Sequence, residues 1–102
     1  MNAAAKNIAS KSLTPELISS IEGTWAGMDL SDGRYLDDQE QGFRFACLEI
    51  SKKLQDGAAT IGEIQSIYNQ EYMDIYDLRY QEDWIRGTYS AYQAMERIFE
   101  KA

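Results

Sequence analysis

One segment of the sequence carries oxygen-bearing side chains at the spacing of a calcium-binding loop. The first, third, ninth and twelfth positions of an EF-hand pattern are occupied by Asp29, Ser31, Asp37 and Glu40. That pattern also requires glycine at the sixth position and an oxygen ligand at the fifth, and here these positions hold Arg34 and Gly33. We therefore interpret the segment as an acidic loop before a helix, and a calcium-responsive switch is the weakest of three functional hypotheses.

A second set of carboxylates, Glu71, Asp74 and Asp77, recurs every three residues. A di-iron site in a helical bundle would need Glu-x-x-His pairs, and the chain contains no histidine. The same absence removes His-containing zinc sites, haem held by histidine and the Ser and Cys triads that use a histidine base. We expect no metal, no cofactor and no catalytic residue, so the protein is predicted not to be an enzyme.

The single cysteine, Cys47, lies in an apolar run and has no second cysteine with which to form a disulfide. It is predicted to be a small core residue in a reducing compartment. Residues 1–13 lack an apolar run of signal-peptide length, and no stretch of eighteen apolar residues occurs. These features predict a cytoplasmic protein; the Lys, Ser and Ala content of the first residues leaves an organelle transit segment as the alternative.

Negative charge is concentrated in two segments of this chain of net charge −7. Residues 54–85 contain seven acidic residues against Arg79 alone, and residues 29–40 contain five against Arg34 alone. An acidic surface repels the phosphates of nucleic acids and anionic lipids, so direct binding to either is not expected. It attracts basic surfaces of other proteins and raises association rates with them, although such charge also serves solubility alone.

Four tyrosines, Tyr68, Tyr72, Tyr76 and Tyr80, are spaced four residues apart in the third predicted helix. Four residues overshoot a helical turn by about 40°, so this row leaves the apolar stripe as it advances. Tyrosine and methionine are enriched in interface cores, and carboxylates at their edge can pair with basic groups. The predicted partner-binding residues are Glu63, Glu71, Met73, Asp74, Tyr76, Asp77 and Tyr80. Alternatively, Tyr76 and Tyr80 cover the connection to the last helix.

Sequence signals for helix starts and ends predict which helices carry these side chains. Thr14 and Pro15 predict the start of a first helix whose apolar stripe runs to Met28. Asp37 and Glu40 have capping-box spacing, and Gly57 gives a stop signal for the second helix. Residues 60–63 form another capping box by sequence. The apolar stripes before and after residues 79–81 differ in direction by about 130°, which predicts a helix break there.

The fold class is therefore predicted to be all-α: a compact bundle of about four helices forming one domain over residues 1–102. Residues 1–13 are expected to fray or form a loose first turn. The residues expected to be mostly buried are Trp25, Phe43, Cys47, Ile50, Ile64, Ile75, Trp84, Met95 and Phe99.

Two functional hypotheses follow besides the calcium switch. The first is a small non-enzymatic binding protein that docks on a basic surface of a partner. Nucleic-acid-binding proteins carry the commonest large basic surfaces, so an inhibitor or nucleic-acid mimic of the anti-restriction, anti-CRISPR or immunity type is its concrete form. The second is a structural or regulatory helical subunit that self-associates, as a homodimer in the simplest case, through the Tyr/Met flank. Docking on a basic site is expected to weaken with salt, whereas apolar self-association is not.

Overall fold

A computed structural model describes residues 8–75 and 82–102, without the side chains of residues 69–75. Within these residues the chain forms a short helical turn at residues 8–10 and four longer helices. These are α1 (Pro15–Gly23), α2 (Asp38–Gln55), α3 (Ile61–Ile75) and α4 (Glu82–Glu100). The same residues form no strand, and a single isolated bridge joins Ser12 to Thr60. The predicted all-α fold class is confirmed.

The predicted helix starts are confirmed at α1 and α2. The hydroxyl of Thr14 accepts a hydrogen bond from the backbone N–H of Leu17 at 3.1 Å, and Pro15 is the first residue of α1. Asp37 and Glu40 form a complete capping box, because each side chain accepts the other residue's backbone N–H, at 2.8 and 3.1 Å. Both helices therefore begin with N–H groups satisfied by side chains.

Two helix boundaries differ in part from the sequence prediction. At α3 the Thr60 hydroxyl accepts the Glu63 N–H at 3.3 Å, but the Glu63 carboxylate accepts the Thr60 hydroxyl at 3.4 Å rather than a backbone N–H. At α1 the helix ends at Gly23 rather than continuing to Met28. The chain turns over residues 24–27 and Gly27 adopts a φ of +84°, a left-handed conformation that glycine tolerates best.

Helices α2 and α4 lie parallel, with their first turns side by side. A Cβ atom at Gly42 would come well under 3.0 Å from the carbonyl oxygen of Trp84, and one at Gly87 would come equally close to that of Gln39. A side chain at either position would clash at such distances. The two backbones can touch only because both positions are glycine. The rings of Phe45 and Trp84 pack across the same crossing with their centroids 5.1 Å apart.

Helix α3 folds back against α4. The rings of Tyr68 and Tyr92 lie with their centroids 5.0 Å apart, and the Gln65 side-chain amide donates to the Glu96 carboxylate at 3.4 Å. A straight helix would separate residues 68 and 92 by about 36 Å, so α3 and α4 are not one continuous straight helix. The predicted break at residues 79–81 itself lies outside the described residues.

The segment before α1 is held against the loop between α2 and α3. The backbone N–H of Leu13 donates to Ala59 at 2.9 Å, and that of Ile61 donates to Lys11 at 2.9 Å. Ile8 packs against the hydrophobic core. Residues 8–13, within the segment expected to be loose, thus have backbone and core partners that hydropathy alone did not indicate.

The core lies between all four helices. Its fully buried residues are Ile21, Ala46, Cys47, Ile50, Ile61, Ile64, Tyr68, Ala91, Tyr92, Met95 and Phe99. Five of the residues expected to be buried belong to it. Trp25, Phe43 and Trp84 are only partly buried and pack against its edge, and the side chain of Ile75 lies outside the description.

Candidate protein-binding site at the acidic end of the bundle

The parallel arrangement of α2 and α4 gathers carboxylates at one end of the molecule. Both helices begin at this end, and the loop of residues 24–37 is tied to α2 by a hydrogen bond from the Gln41 side chain to the carbonyl oxygen of Gly33. We call this region the acidic end. Its carboxylates are Asp29, Asp32, Asp37, Asp38, Glu40, Glu82 and Asp83. Apart from Asp32, which is partly buried, all of them are exposed.

Helix geometry explains part of this charge. The first turns of two parallel helices present their partial positive charges side by side, and Asp38 and Asp83 lie in those turns. Glu82 and Asp83 also pair with Arg86, at 2.6 and 3.7 Å. Such exposed pairs contribute little stability, so the carboxylates remain available to a basic partner.

Asp29 organises the start of the acidic loop. Its carboxylate accepts the hydroxyl of Ser31 at 2.6 Å and the backbone N–H of Ser31 at 2.9 Å. These two hydrogen bonds lower the pKa of Asp29 below its ordinary value of 3.8, because they favour the ionised carboxylate. Asp29 is thus a fixed negative charge at neutral pH.

Asp32 organises the tip of the same loop through Arg34. The Arg34 guanidinium donates to the carboxylate at 2.9 Å, and the Arg34 backbone N–H donates to it at 3.1 Å. The side-chain bond and then the backbone bond lower the pKa of Asp32. The guanidinium carbon in turn lies 5.6 Å from the centre of the Tyr35 ring, within the range of a cation–π contact.

Tyr35 is the most unusual side chain of this end. It is 90% exposed, and it is the one large hydrophobic side chain that is exposed in the part of the chain the structure describes. The backbone N–H groups of its two neighbours are engaged within the loop: that of Arg34 donates to the Asp32 carboxylate, and that of Leu36 donates to the carbonyl oxygen of Gly33. Tyrosine is among the residue types enriched at the energetic centres of protein interfaces.

The calcium-loop hypothesis gains no support from this geometry. Asp29 and Asp32, at the first and fourth positions of the compared pattern, are engaged by donors within the loop. Asp37 and Glu40, its ninth and twelfth positions, cap α2. Among the side chains that the structure describes, no group of three or more acidic or cysteine residues is arranged to hold a metal ion.

Of the partner-binding residues predicted from the sequence, only Glu63 has a described side chain. It lies in the first turn of α3 and its carboxylate contacts Thr60. Glu71, Met73 and Asp74 belong to α3, but their side chains lie outside the description. Tyr76, Asp77 and Tyr80 lie outside the described residues altogether. Their role in binding therefore stays a prediction.

The sequence interpretation did not single out Tyr35. The signal was present, because Tyr35 follows the turn residues Asp32 and Gly33 and belongs to no apolar stripe. A large apolar side chain outside any periodic pattern has no helix face on which to be buried.

Comparisons with known proteins add no relative: no family model, no curated protein and no solved structure matches this chain. Among the described helices, none combines the length and apolar character needed to cross a membrane.

Proposed function

We propose that this protein is a small, non-enzymatic binding protein whose acidic end docks on a basic surface of another protein. The observation that carries the proposal is Tyr35, which is exposed on the loop of residues 24–37 beside Asp29 and Asp32. The carboxylates would steer the encounter, and the tyrosine would fill a pocket in the partner. Local capping and turn formation account for the carboxylates, but nothing in the described fold requires an aromatic residue at this position.

The partner class we favour is a nucleic-acid-binding protein. Its binding cleft presents the basic surface that a row of carboxylates complements, as DNA or RNA phosphates do. The protein would then act as an inhibitor or nucleic-acid mimic, of the kind found among anti-restriction, anti-CRISPR and immunity proteins. Size, charge and the exposed tyrosine support this class.

Matched charge reversals test the proposal. Asp38→Lys/Asp83→Lys changes two exposed residues of the acidic end, whereas Asp56→Lys/Glu100→Lys makes the same change in charge at the opposite ends of the same helices. A partner purified from the source cells by affinity to the wild-type protein supplies the binding assay. We expect the first pair to slow association and weaken binding at least about tenfold, and the second to have little effect.

Two further measurements distinguish anchoring from charge alone. Tyr35→Ala is expected to raise the dissociation rate about fivefold or more, since truncated interface anchors commonly cost more than about 1 kcal/mol. The wild-type protein should also compete with a duplex oligonucleotide for the partner, and its affinity should fall with added salt. Equal effects of both charge-reversal pairs, or unchanged binding in both, would contradict docking through the acidic end.

A further inference from the structure

The opposite end of the bundle carries a groove of different character. It lies between the start of α1 and the end of α4 and has a volume of about 610 Å³, within the range of ligand-binding clefts. Leu17 and Ile98 provide the apolar part of its lining, and both pack against the hydrophobic core. The groove is therefore a preformed depression with an apolar floor.

Three cations surround this floor: Lys11, Arg97 and Lys101. Glu16 is the one acidic residue among the described side chains that line the groove. Lys11 donates to a main-chain oxygen of Ala102 at 2.7 Å, whereas no ion pair within the described residues involves Arg97 or Lys101. A strongly acidic protein thus keeps a locally basic, partly apolar groove at the end where α4 stops.

We propose that this groove receives the acidic loop of a second copy of the same protein, with Tyr35 on the apolar floor. Asp29 and Asp32 adjoin Tyr35, since all three line one shallow depression of the loop. In the proposed contact these carboxylates face the cations of the groove. Arg34, the one cation in the loop, pairs with Asp32, so Asp29 supplies the uncompensated negative charge beside Tyr35.

The geometry requires the contact to join different copies. The groove lies at the C-terminal end of α4 and the acidic end at its N-terminal end, and a helix of 19 residues is about 28 Å long. One copy therefore cannot fill its own groove. Because the two surfaces differ, copies add head to tail, and the assembly is an open chain unless the rotation between copies closes it.

The net charge of −7 on each copy does not prevent this contact. At physiological ionic strength, charges more than about 8 Å apart are largely screened, while opposite charges in contact still attract. Self-association of this kind covers the same acidic end that the proposed function uses. A copy whose loop is seated in a groove could not dock on a partner through that loop, so the two events would exclude one another at each acidic end.

Sedimentation velocity of the purified protein alone tests the inference. We expect the weight-average sedimentation coefficient of the wild-type protein to rise with concentration. Arg97→Glu/Lys101→Glu and Tyr35→Ala should each weaken association about tenfold or more. Lys52→Glu/Lys53→Glu is the matched control, since it reverses two cations in the last turn of α2, outside the groove, and should associate as the wild type does. Circular dichroism checks that each variant folds.

Mixing supplies the decisive measurement. The groove variant keeps its Tyr35 and the Tyr35→Ala variant keeps its groove, so equimolar mixing should produce a dimer from two proteins that are monomeric alone. A wild-type protein that stays monomeric at every concentration, a control pair that abolishes association, or a mixture that stays monomeric would overturn the inference. None of these results bears on docking to a different partner, because no partner is present in the experiment.

Discussion

Gly42 of α2 lies directly against the main-chain carbonyl of Trp84 in α4, and Gly87 of α4 lies in the same way against the carbonyl of Gln39 in α2. This reciprocal contact brings the first turns of two parallel helices together. The acidic end is a consequence, because each first turn contributes carboxylates that favour its own helix dipole. The packing of two glycines and the position of the proposed binding surface are thus physically linked.

Alanine at either glycine is expected to destabilise the fold. Gly42→Ala and Gly87→Ala each place a methyl group in space that a backbone occupies, so each should lower the free energy of unfolding by about 1–3 kcal/mol. Gly23→Ala is the control, because a Cβ there meets nothing within 4 Å and the residue ends a helix. It should be neutral or stabilising by up to about 1 kcal/mol. Urea unfolding of the three variants checks this, and equal losses at all three positions would contradict the close-packing argument.

The N-terminal cap of α2 offers a second matched pair. Asp37→Ala removes the side chain that accepts the Glu40 N–H and should cost about 1 kcal/mol of stability. Asp38→Ala removes only a favourable charge from the first turn, an effect of about 0.3–1 kcal/mol that added salt reduces. Thermal unfolding at low and high salt separates the two variants. If Asp37→Ala lost no more stability than Asp38→Ala, and if added salt reduced both losses equally, the capping hydrogen bond would contribute no stability.

The sequence predicted the helices better than their arrangement. Thr14, Asp37 and Gly57 mark helix ends through local hydrogen bonding and backbone conformation, and local chemistry can be recognised in a single sequence. The parallel contact at Gly42 and Gly87 depends on two positions far apart in the chain. A lone glycine in a helical pattern does not show which residue packs against it. The same limit applies to the groove, whose lining comes from both ends of the sequence.

Part of the candidate site was also predictable. The acidity of residues 29–40 was recognised, and the structure confirms that Asp37 and Glu40 cap α2. The exposure of Tyr35 was not predicted, because hydropathy patterns describe residues that repeat on a face and give no expectation for a single aromatic residue in a loop. The ion pair of Arg34 with Asp32 lies beside Tyr35, and only the folded loop displays that contact.

Cys47 is expected to be inert in the native protein. Its side chain is fully buried, and this burial raises the pKa of the thiol to about 12. The thiolate that reacts with disulfide reagents is therefore almost absent at pH 8. Dithionitrobenzoate should label the folded protein only at the rate at which the fold opens and exposes Cys47. It should label the protein unfolded in urea at once. Rapid stoichiometric labelling of the native protein would show that Cys47 is accessible.

Acid titration of the loop provides the last prediction. Hydrogen bonds lower the pKa of Asp29 in the folded loop below the ordinary 3.8, so the ionised carboxylate stabilises the loop above that pH. This contribution to stability is lost as the pH falls through the lowered pKa. In an NMR titration, the chemical shift of the Ser31 amide should report the protonation of Asp29 with a midpoint below pH 3.8. Ser31→Ala removes the hydroxyl that has the largest effect, so the midpoint in that variant should move up toward 3.8. A wild-type midpoint at or above 3.8, or one unchanged in Ser31→Ala, would show that this hydrogen bond does not hold the loop in solution.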